Sequence, residues 1–319
     1  MTKSNLLIFG ATGAIGSYIT AAITDARDEF GRIGIFTSQS TLTKKTKEIN
    51  ALREKAVDIL VGDVTSKDEV LKAFDGFDTV VSALGRGVIA QQVHLVQWAD
   101  ESPQIKRFLP SEYGTDIEYS LASANEKPHQ QKLKVRAAIR ETKNLEYAFV
   151  VTGPYADVPF YLGASKNPRG GSFDVKNKKA VLLGDGNGRI SLVACAEYVF
   201  HAFWLLLTMP RGIDGQANAR GRALKLNSFT TTPNDILAEF EKQTGNKWSV
   251  EYTSLKQLKQ YEKEAWEKGE PDATTLTLRR IWTEGGTLYE RRDNEDIGAE
   301  NTTTLEEAVN GAIKTQLGQ

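Results

Sequence analysis

Three glycines at three-residue spacing, Gly10, Gly13 and Gly16, follow an unbroken apolar run from Leu6 to Phe9. Such a run reads as a central parallel strand buried on both faces, and Ala14, Ile15, Tyr18 and Ile19 read as the first turns of a helix. Each glycine would have its own task. The first turns the chain off the strand, the second lets backbone N–H groups approach a pyrophosphate, and the third lets the helix lie close to the sheet. An anion held there meets the positive end of the helix dipole. The expectation is a dinucleotide site contacted by Gly10, Thr12, Gly13, Ala14, Ile15 and Gly16, the alternative being a turn that closes a strand–helix unit and binds nothing.

The elements that must position this loop recur along the chain as apolar runs alternating with helical stretches. Strands are expected at Ile33 to Phe36, Val57 to Val61, Thr79 to Ala83, Ile105 to Leu109 and Tyr147 to Val151. Helices are expected at Thr43 to Glu54, Lys67 to Phe74, Ile89 to Ala99 and Glu126 to Thr142. This alternation implies an α/β fold, a Rossmann-type doubly wound parallel sheet that binds its ligand across the strands' C-terminal ends. Beyond Tyr155 the alternation weakens, which suggests a smaller C-terminal α+β lobe. The expected division is 1–155 for the dinucleotide and 156–319 mainly for the substrate, with part of 190–230 rejoining the first unit.

The loops after the strands carry the remaining candidates. Dinucleotide-binding proteins that take NAD tend to place an acid at the end of the second strand, whereas here the chain reads Thr37-Ser38-Gln39-Ser40. Lys44, Lys45 and Lys47 follow within reach of a 2′-phosphate, which favours NADP(H), unless they are only a solvated helix face. Asp63 stands where an adenine edge would lie, or caps the next helix. The small residues of Ser82 to Gly87 suit close backbone approach, so Ala83, Leu84 and Gly85 join the expected cofactor contacts.

Composition excludes several classes. The 319 residues carry 40 Lys and Arg against 41 Asp and Glu, a net charge of −1, which gives no global pull toward nucleic acid or an anionic membrane. One cysteine, Cys195 in an apolar context, excludes an internal disulfide and, with no signal peptide, suggests a reducing, cytoplasmic setting. The apolar run Val199 to Leu207, which contains His201, is too short to span a bilayer and reads as a buried helix. Three histidines, His94, His129 and His201, lack ligand spacing, so no metal is expected.

One segment is more discriminating. Phe108 to Asp116 reads FLPSEYGTD and is followed by KPHQQKLKVRAAI, with His129, Lys132, Lys134 and Arg136 on the expected helix. These motifs resemble the isoflavone reductase-like and phenylcoumaran benzylic ether reductase group, within the NmrA-like branch of atypical short-chain dehydrogenases. The GxxGxxG spacing is itself similar to that of short-chain dehydrogenase-like proteins. The likeness continues in TGPYADVPFYL (Thr152 to Leu162), in GDGNGRISLVACAEY (Gly184 to Tyr198) and in a helix around Pro233 to Thr244. It implies a two-lobed NADPH-dependent reductase of aromatic or polyketide-like small molecules with a lysine as acid/base, and Lys132 is the position that matches. Ser111, Pro154 and Tyr155 are then further cofactor contacts, and Tyr113, His129, Tyr155, Phe160 and Tyr161 face the substrate. Two positions depart from the family pattern. Ser38 replaces an arginine after the second strand, and His129 replaces an aromatic residue three before the lysine.

A lysine beside the cofactor, partly desolvated, should have a depressed pKa and exchange protons near neutral pH. Lys134, about 200° around the helix, cannot share that role. The Tyr-x-x-x-Lys of standard short-chain dehydrogenases is missing here because Pro128 occupies the tyrosine position, and Tyr252 and Lys256 match its spacing by coincidence. In the second lobe a hairpin is expected over Ser172 to Leu183, and helices over Pro233 to Thr244, Leu255 to Lys268 and Thr275 to Trp282. Tyr261, Trp266 and Trp282 lie on those helices and offer an aromatic-lined pocket. Two other readings stay open: a dinucleotide-sensing regulator without catalysis, and a non-redox isomerase or cyclase. The expected partner is a small aromatic substrate, with the chain a monomer or homodimer.

Overall fold

The computed structural model of the chain describes residues 3–156, 160–194, 221–299 and 302–319. Cys195, His201 and the apolar run Val199 to Leu207 lie outside the described residues.

Six parallel strands form the main sheet: β1 (Leu6–Phe9), β2 (Ile33–Thr37), β3 (Asp58–Val61), β4 (Thr79–Ser82), β5 (Arg107–Leu109) and β6 (Glu146–Tyr147). Their order is 3-2-1-4-5-6, so the winding reverses between β1 and β4. Side chains alternate across a strand, and both sides of β1 are buried. Leu6 and Ile8 enter one core with Ile19 and Ile23 of α1 (Gly16–Asp25), while Leu7 and Phe9 enter the other. That second core takes in α4 (Lys67–Ala73), α5 (Gln92–Glu101) and α6 (Gln130–Arg140), through Val70, Leu95 and Ile139. Helices on both faces explain why the strand reads as an unbroken apolar run.

The helix expected over Thr43 to Glu54 is two helices, α2 (Gln39–Lys44) and α3 (Thr46–Glu54), joined at Lys45. The stretch expected to be helical from Glu126 begins as a 3-10 turn over Lys127–His129 and becomes α-helical only at Gln130. Strand β7 (Phe149–Val151) follows β6 after one residue and pairs in parallel with β11 (Ala223–Lys225), so the later chain returns to this side of the molecule.

A second set of elements packs beside the sheet. The hairpin β8 (Ser172–Asp174) and β9 (Lys179–Leu183) is extended in parallel by β13 (Ser249–Thr253), and β10 (Ile190–Leu192) pairs antiparallel with β12 (Phe229–Thr231). Helix α7 (Pro233–Thr244) and the C-terminal α10 (Leu305–Leu317) bury Ile236, Phe240 and Val309 in the same core as Phe173 and Leu182. Helices α8 (Leu255–Lys268) and α9 (Ala273–Thr283) meet through Leu258, Ala265 and Leu276. Helix α9 faces the C-terminal ends of β4 and β5 across a cleft.

Candidate active site

Two cavities open at the strands' C-terminal ends and meet at Gly13, Ala83, Leu84 and Gly85, above the reversal between β1 and β4. In open α/β sheets this is where ligands bind. One cavity, about 850 Å³, is lined by Gly10, Thr12, Ser38, Lys45 and Asp63. The other, about 940 Å³, is lined by Ala14, Ile15, Ser111, Lys132, Pro154 and Tyr155.

The glycine loop is tight because backbone crowds two of its glycines. Gly10 has φ +78°, and a Cβ there would stand 2.5 Å from the Ala83 carbonyl oxygen. At Gly16 a Cβ would lie 2.0 Å from the Gly10 carbonyl oxygen, so α1 approaches the loop as closely as glycine permits. Gly16 therefore serves packing and lines neither cavity. The N–H of Gly13 donates to the Gly10 carbonyl at 2.9 Å, so this amide is spent holding the loop. Ile15, the N-cap of α1, supplies no side-chain cap, and the Ser17 N–H donates to the Gly13 carbonyl at 2.9 Å.

At the end of β2, Ser38 caps α2 by accepting from the Thr41 N–H at 3.2 Å. Lys45 turns inward, and its Nζ donates to the Thr12 carbonyl, tying this segment to the glycine loop. Lys44 differs from expectation: it is exposed in the last turn of α2 and lines neither cavity. The Asp63 carboxylate accepts from the Thr65 N–H and hydroxyl, which lowers its pKa. The next helix is capped by Ser66 instead, so the capping role falls away.

The second cavity is organised by one residue of the loop after β5. Glu112 accepts from Lys132 Nζ through its backbone carbonyl and from Arg136 through its carboxylate, at 3.2 and 3.0 Å. Lys132 and Arg136 are one turn apart on α6, so a single residue fixes the helix at two points. Arg136, 1% exposed, also pairs with Asp116 at 3.1 Å and Glu118 at 2.7 Å. Burial pushes the Lys132 ammonium down to about 8; the Glu112 charge opposes this, and Arg86 and Arg136 reinforce it. Lys134 is exposed on the far side. Tyr252 is half exposed, with its hydroxyl on Asn234, and neither Tyr252 nor Lys256 lines the cavity.

His129 lies one turn before Lys132 and is 2% exposed. Its Nδ1 is 3.2 Å from the Ser123 carbonyl, an acceptor only, so Nδ1 carries the proton and Nε2 is the bare nitrogen. Nε2 has no hydrogen-bond partner among the described residues. Burial lowers the ring's pKa to about 4, with Lys132, Arg86 and Arg136 adding to the effect.

Tyr113, Tyr155, Phe160 and Trp282 line the cavity as an aromatic wall. The Tyr155 hydroxyl donates to the Tyr113 carbonyl at 3.0 Å, and Trp282 Nε1 donates to Thr115 Oγ1 at 2.7 Å. Ser111 is locked by its hydroxyl on the Leu84 carbonyl and its N–H on Gln92. Tyr161 departs from expectation: it is buried behind the wall against Trp282 and Arg279 and does not line the cavity. Tyr261 and Trp266 likewise pack at the α8–α9 contact, away from it. Sequence reading passed over Arg86, Glu112 and Arg279. The available signal for Arg279 was its place three residues from both Leu276 and Trp282, on the inward face of α9. Among the described residues, no helix is long and apolar enough to cross a membrane and no cluster could hold a metal ion.

The model of the NmrA-like family matches residues 2–176. Over 271 residues the chain is 30% identical to an isoflavone reductase homologue of Nicotiana glauca, covering 82% of this chain and 81% of that protein. It is 29% identical over 279 residues to an oxidoreductase of Aspergillus flavus, 86% of each. Among solved structures, the binary complex of leucoanthocyanidin reductase and NADPH from Vitis vinifera has a TM-score of 0.78 at 21% identity, over 97% of this chain and 99% of that one. A crystal structure of isoflavone reductase gives 0.75 at 22% identity over the same shares. At these identities the structural likeness is one of fold.

Proposed function

Because the chain belongs to the NmrA-like family, we propose that it is an NADPH-dependent reductase of a small aromatic compound, with Lys132 as the proton donor. The observation that carries this reading is the seat of Lys132. It lies in a cavity with the glycine loop at one end and an aromatic wall at the other, its ammonium pushed down to about 8. The isoflavone reductase homologues among the relatives and the NADPH complex among the fold neighbours support it.

The residues present fit a dinucleotide. Gly10 and Gly16 let the loop and α1 pack closely where any Cβ would clash, the loop lines both cavities, and α1 begins without a side-chain cap. In this reading Thr12, Ala14 and Ile15 hold the pyrophosphate and Lys45 with Ser38 takes the 2′-phosphate. Ala83, Leu84, Gly85, Ser111, Pro154 and Tyr155 flank the nicotinamide half. Residues 1–155 then serve mainly the cofactor and 156–319 mainly the substrate side.

When bound, NADPH supplies a hydride to one carbon of the substrate. Charge then develops on an oxygen or a conjugated carbon nearby, and Lys132 Nζ, still protonated at neutral pH, delivers the proton that neutralises it. Glu112 orients Lys132 through its backbone carbonyl while Arg136 holds its carboxylate, so the donor is fixed in place from the loop after β5. The aromatic wall excludes water and orients the ring.

The test pairs Lys132→Met with Lys134→Met. NADPH consumption against a panel of aromatic ketones, enones and benzylic ethers should fall about a hundredfold or more in the first and stay unchanged in the second. Calorimetry should give both variants the wild-type NADPH affinity. The wild-type rate should decline as pH rises through about 8, where Lys132 loses its proton. Full turnover in Lys132→Met would defeat the mechanism. Preference for NADP⁺ over NADPH, with no turnover, would favour the sensing regulator.

A further inference from the structure

The cavity wall formed by α9 carries a guanidinium that no carboxylate among the described residues balances. Arg279 is 6% exposed and lines the cavity beside Trp282. Burial lowers its pKa, yet an arginine stays charged at any pH the protein meets. Two other arginines are buried as deeply, and both are paired: Arg107 with Glu146 at 3.0 Å, and Arg136 with Glu112, Asp116 and Glu118. Arg279 has no carboxylate among the described residues. Its Nη2 donates to the Phe160 carbonyl at 2.8 Å, and its Cζ lies 4.2 Å from the Tyr161 ring centroid and 5.6 Å from that of Trp282. One carbonyl, the Tyr161 hydroxyl and two ring faces offset part of the desolvation cost, and none of these partners carries a formal negative charge.

The acids that line the same cavity are already engaged. Glu112 is held by Arg136, and Glu270 and Asp272 are held by Arg169. Arg86 and Lys132 add two more positive charges. A cavity of this volume, aromatic on one side and with its carboxylates already engaged by Arg136 and Arg169, attracts a planar anion small enough to lie against Trp282 and Phe160.

We infer that Arg279 is the anchor for a carboxylate on the substrate, so that the compound bound here is an aromatic acid whose ring lies against Phe160 and Trp282. The inference rests on the reductase reading and sharpens it to a substrate class. A guanidinium fork matches a carboxylate through two parallel N–H···O bonds, which a lysine cannot reproduce. Tyr161 and Trp282 hold the fork in place by stacking, so little side-chain freedom is lost when the acid docks.

The experiment is calorimetric titration of the full chain, with and without saturating NADPH, using cinnamate and 2-naphthoate beside their methyl esters. Wild type should bind each acid about tenfold or more tightly than its ester. Arg279→Gln should lose that preference while keeping its NADPH affinity, and Arg279→Lys should keep only part of it. If Arg279→Gln does not unfold cooperatively, the loss read in Arg279→Lys decides. Esters binding as tightly as acids to wild type, no acid binding at millimolar concentration, or a preference that survives in both variants would overturn the assignment. Loss of NADPH affinity in Arg279→Gln with the acid preference intact would give the charge to the cofactor's phosphates and also overturn it. If wild type fails to bind NADPH, the reductase reading falls, and the comparison on the protein alone still judges the anchor.

Discussion

Lys132 and His129 face one cavity from the same stretch of chain, and burial lowers the basicity of both, yet they hold opposite charge states at neutral pH. Lys132, at about 8, is still an ammonium, whereas His129, at about 4, is neutral with its proton on Nδ1. Only the lysine can donate a proton. His129 has a consequence for stability. Its folded pKa lies below the ordinary 6.5, so between those values the unfolded chain binds the extra proton and the folded one does not. The stability it confers is complete above pH 6.5 and is lost as pH falls toward 4. Between about pH 7 and pH 5 this loss amounts to about 2 kcal/mol. Urea midpoints for wild type and His129→Phe at those two pH values should therefore differ in slope by that amount, with wild type the more acid-sensitive. Parallel slopes would mean that the ring takes up its proton in the folded protein as readily as in the unfolded chain.

At the scale of elements, α6 is docked on the loop after β5 by charge rather than by apolar contact alone. Arg136 meets Glu112 and Asp116 where all three are buried, and Glu118, held by Arg140 and Arg136 at the edge, has its carboxyl pulled down to about 2. Removing one partner of a buried ion network leaves charges stranded, at a cost of about 3–5 kcal/mol. Arg136→Met should show that loss in equilibrium unfolding. The partially rescued double variant Arg136→Met with Glu112→Gln should recover part of it, since one stranded charge is gone. An unchanged midpoint in Arg136→Met would make the network decorative. This arrangement was hard to read from sequence, because a Glu in FLPSEYGTD and an Arg in KxKxR have no pattern that marks them as buried partners. Helices with local signals fared better. Pro233–Thr244 and Leu255–Lys268 begin at capping boxes, Thr232 with Asp235 and Ser254 with Gln257, and end at left-handed Gly245 and Gly269. The helix expected over Thr43 to Glu54 breaks at Lys45, the residue whose side chain reaches across 33 residues to Thr12, a tertiary tie with no local trace.

Over the whole molecule, the glycine spacing and the strand–helix alternation were enough to indicate a doubly wound parallel sheet with its ligand at the strands' C-terminal ends, because both follow from short-range rules. Which charged side chains turn inward was decided by packing between distant segments, so Arg279 passed unremarked while Tyr161 and Lys44 were credited with places in the site. Lys45 is the case where this matters for function. Among the expected 2′-phosphate ligands it is the lysine whose side chain turns into the cleft, beside Ser38 and the glycine loop. NADPH and NADH differ only in that phosphate, so a site built on Lys45 must tell them apart by thermal stabilisation. A ligand at a hundredfold excess over its Kd stabilises the fold by about 2.7 kcal/mol, which in a chain of this length raises Tm by about 5 °C. Losing one charged contact to the phosphate should weaken NADPH binding about tenfold, or about 1.4 kcal/mol, and leave NADH untouched. At one fixed concentration, Lys45→Gln should therefore lose about half of the NADPH-induced rise in Tm and none of the NADH-induced rise. Lys44→Gln, exposed on the outer side of α2, should behave as wild type with both. Equal losses with NADPH and NADH in Lys45→Gln would show that the lysine only ties Thr12 in place, and the 2′-phosphate would then have to be held by Ser38 and the backbone around it.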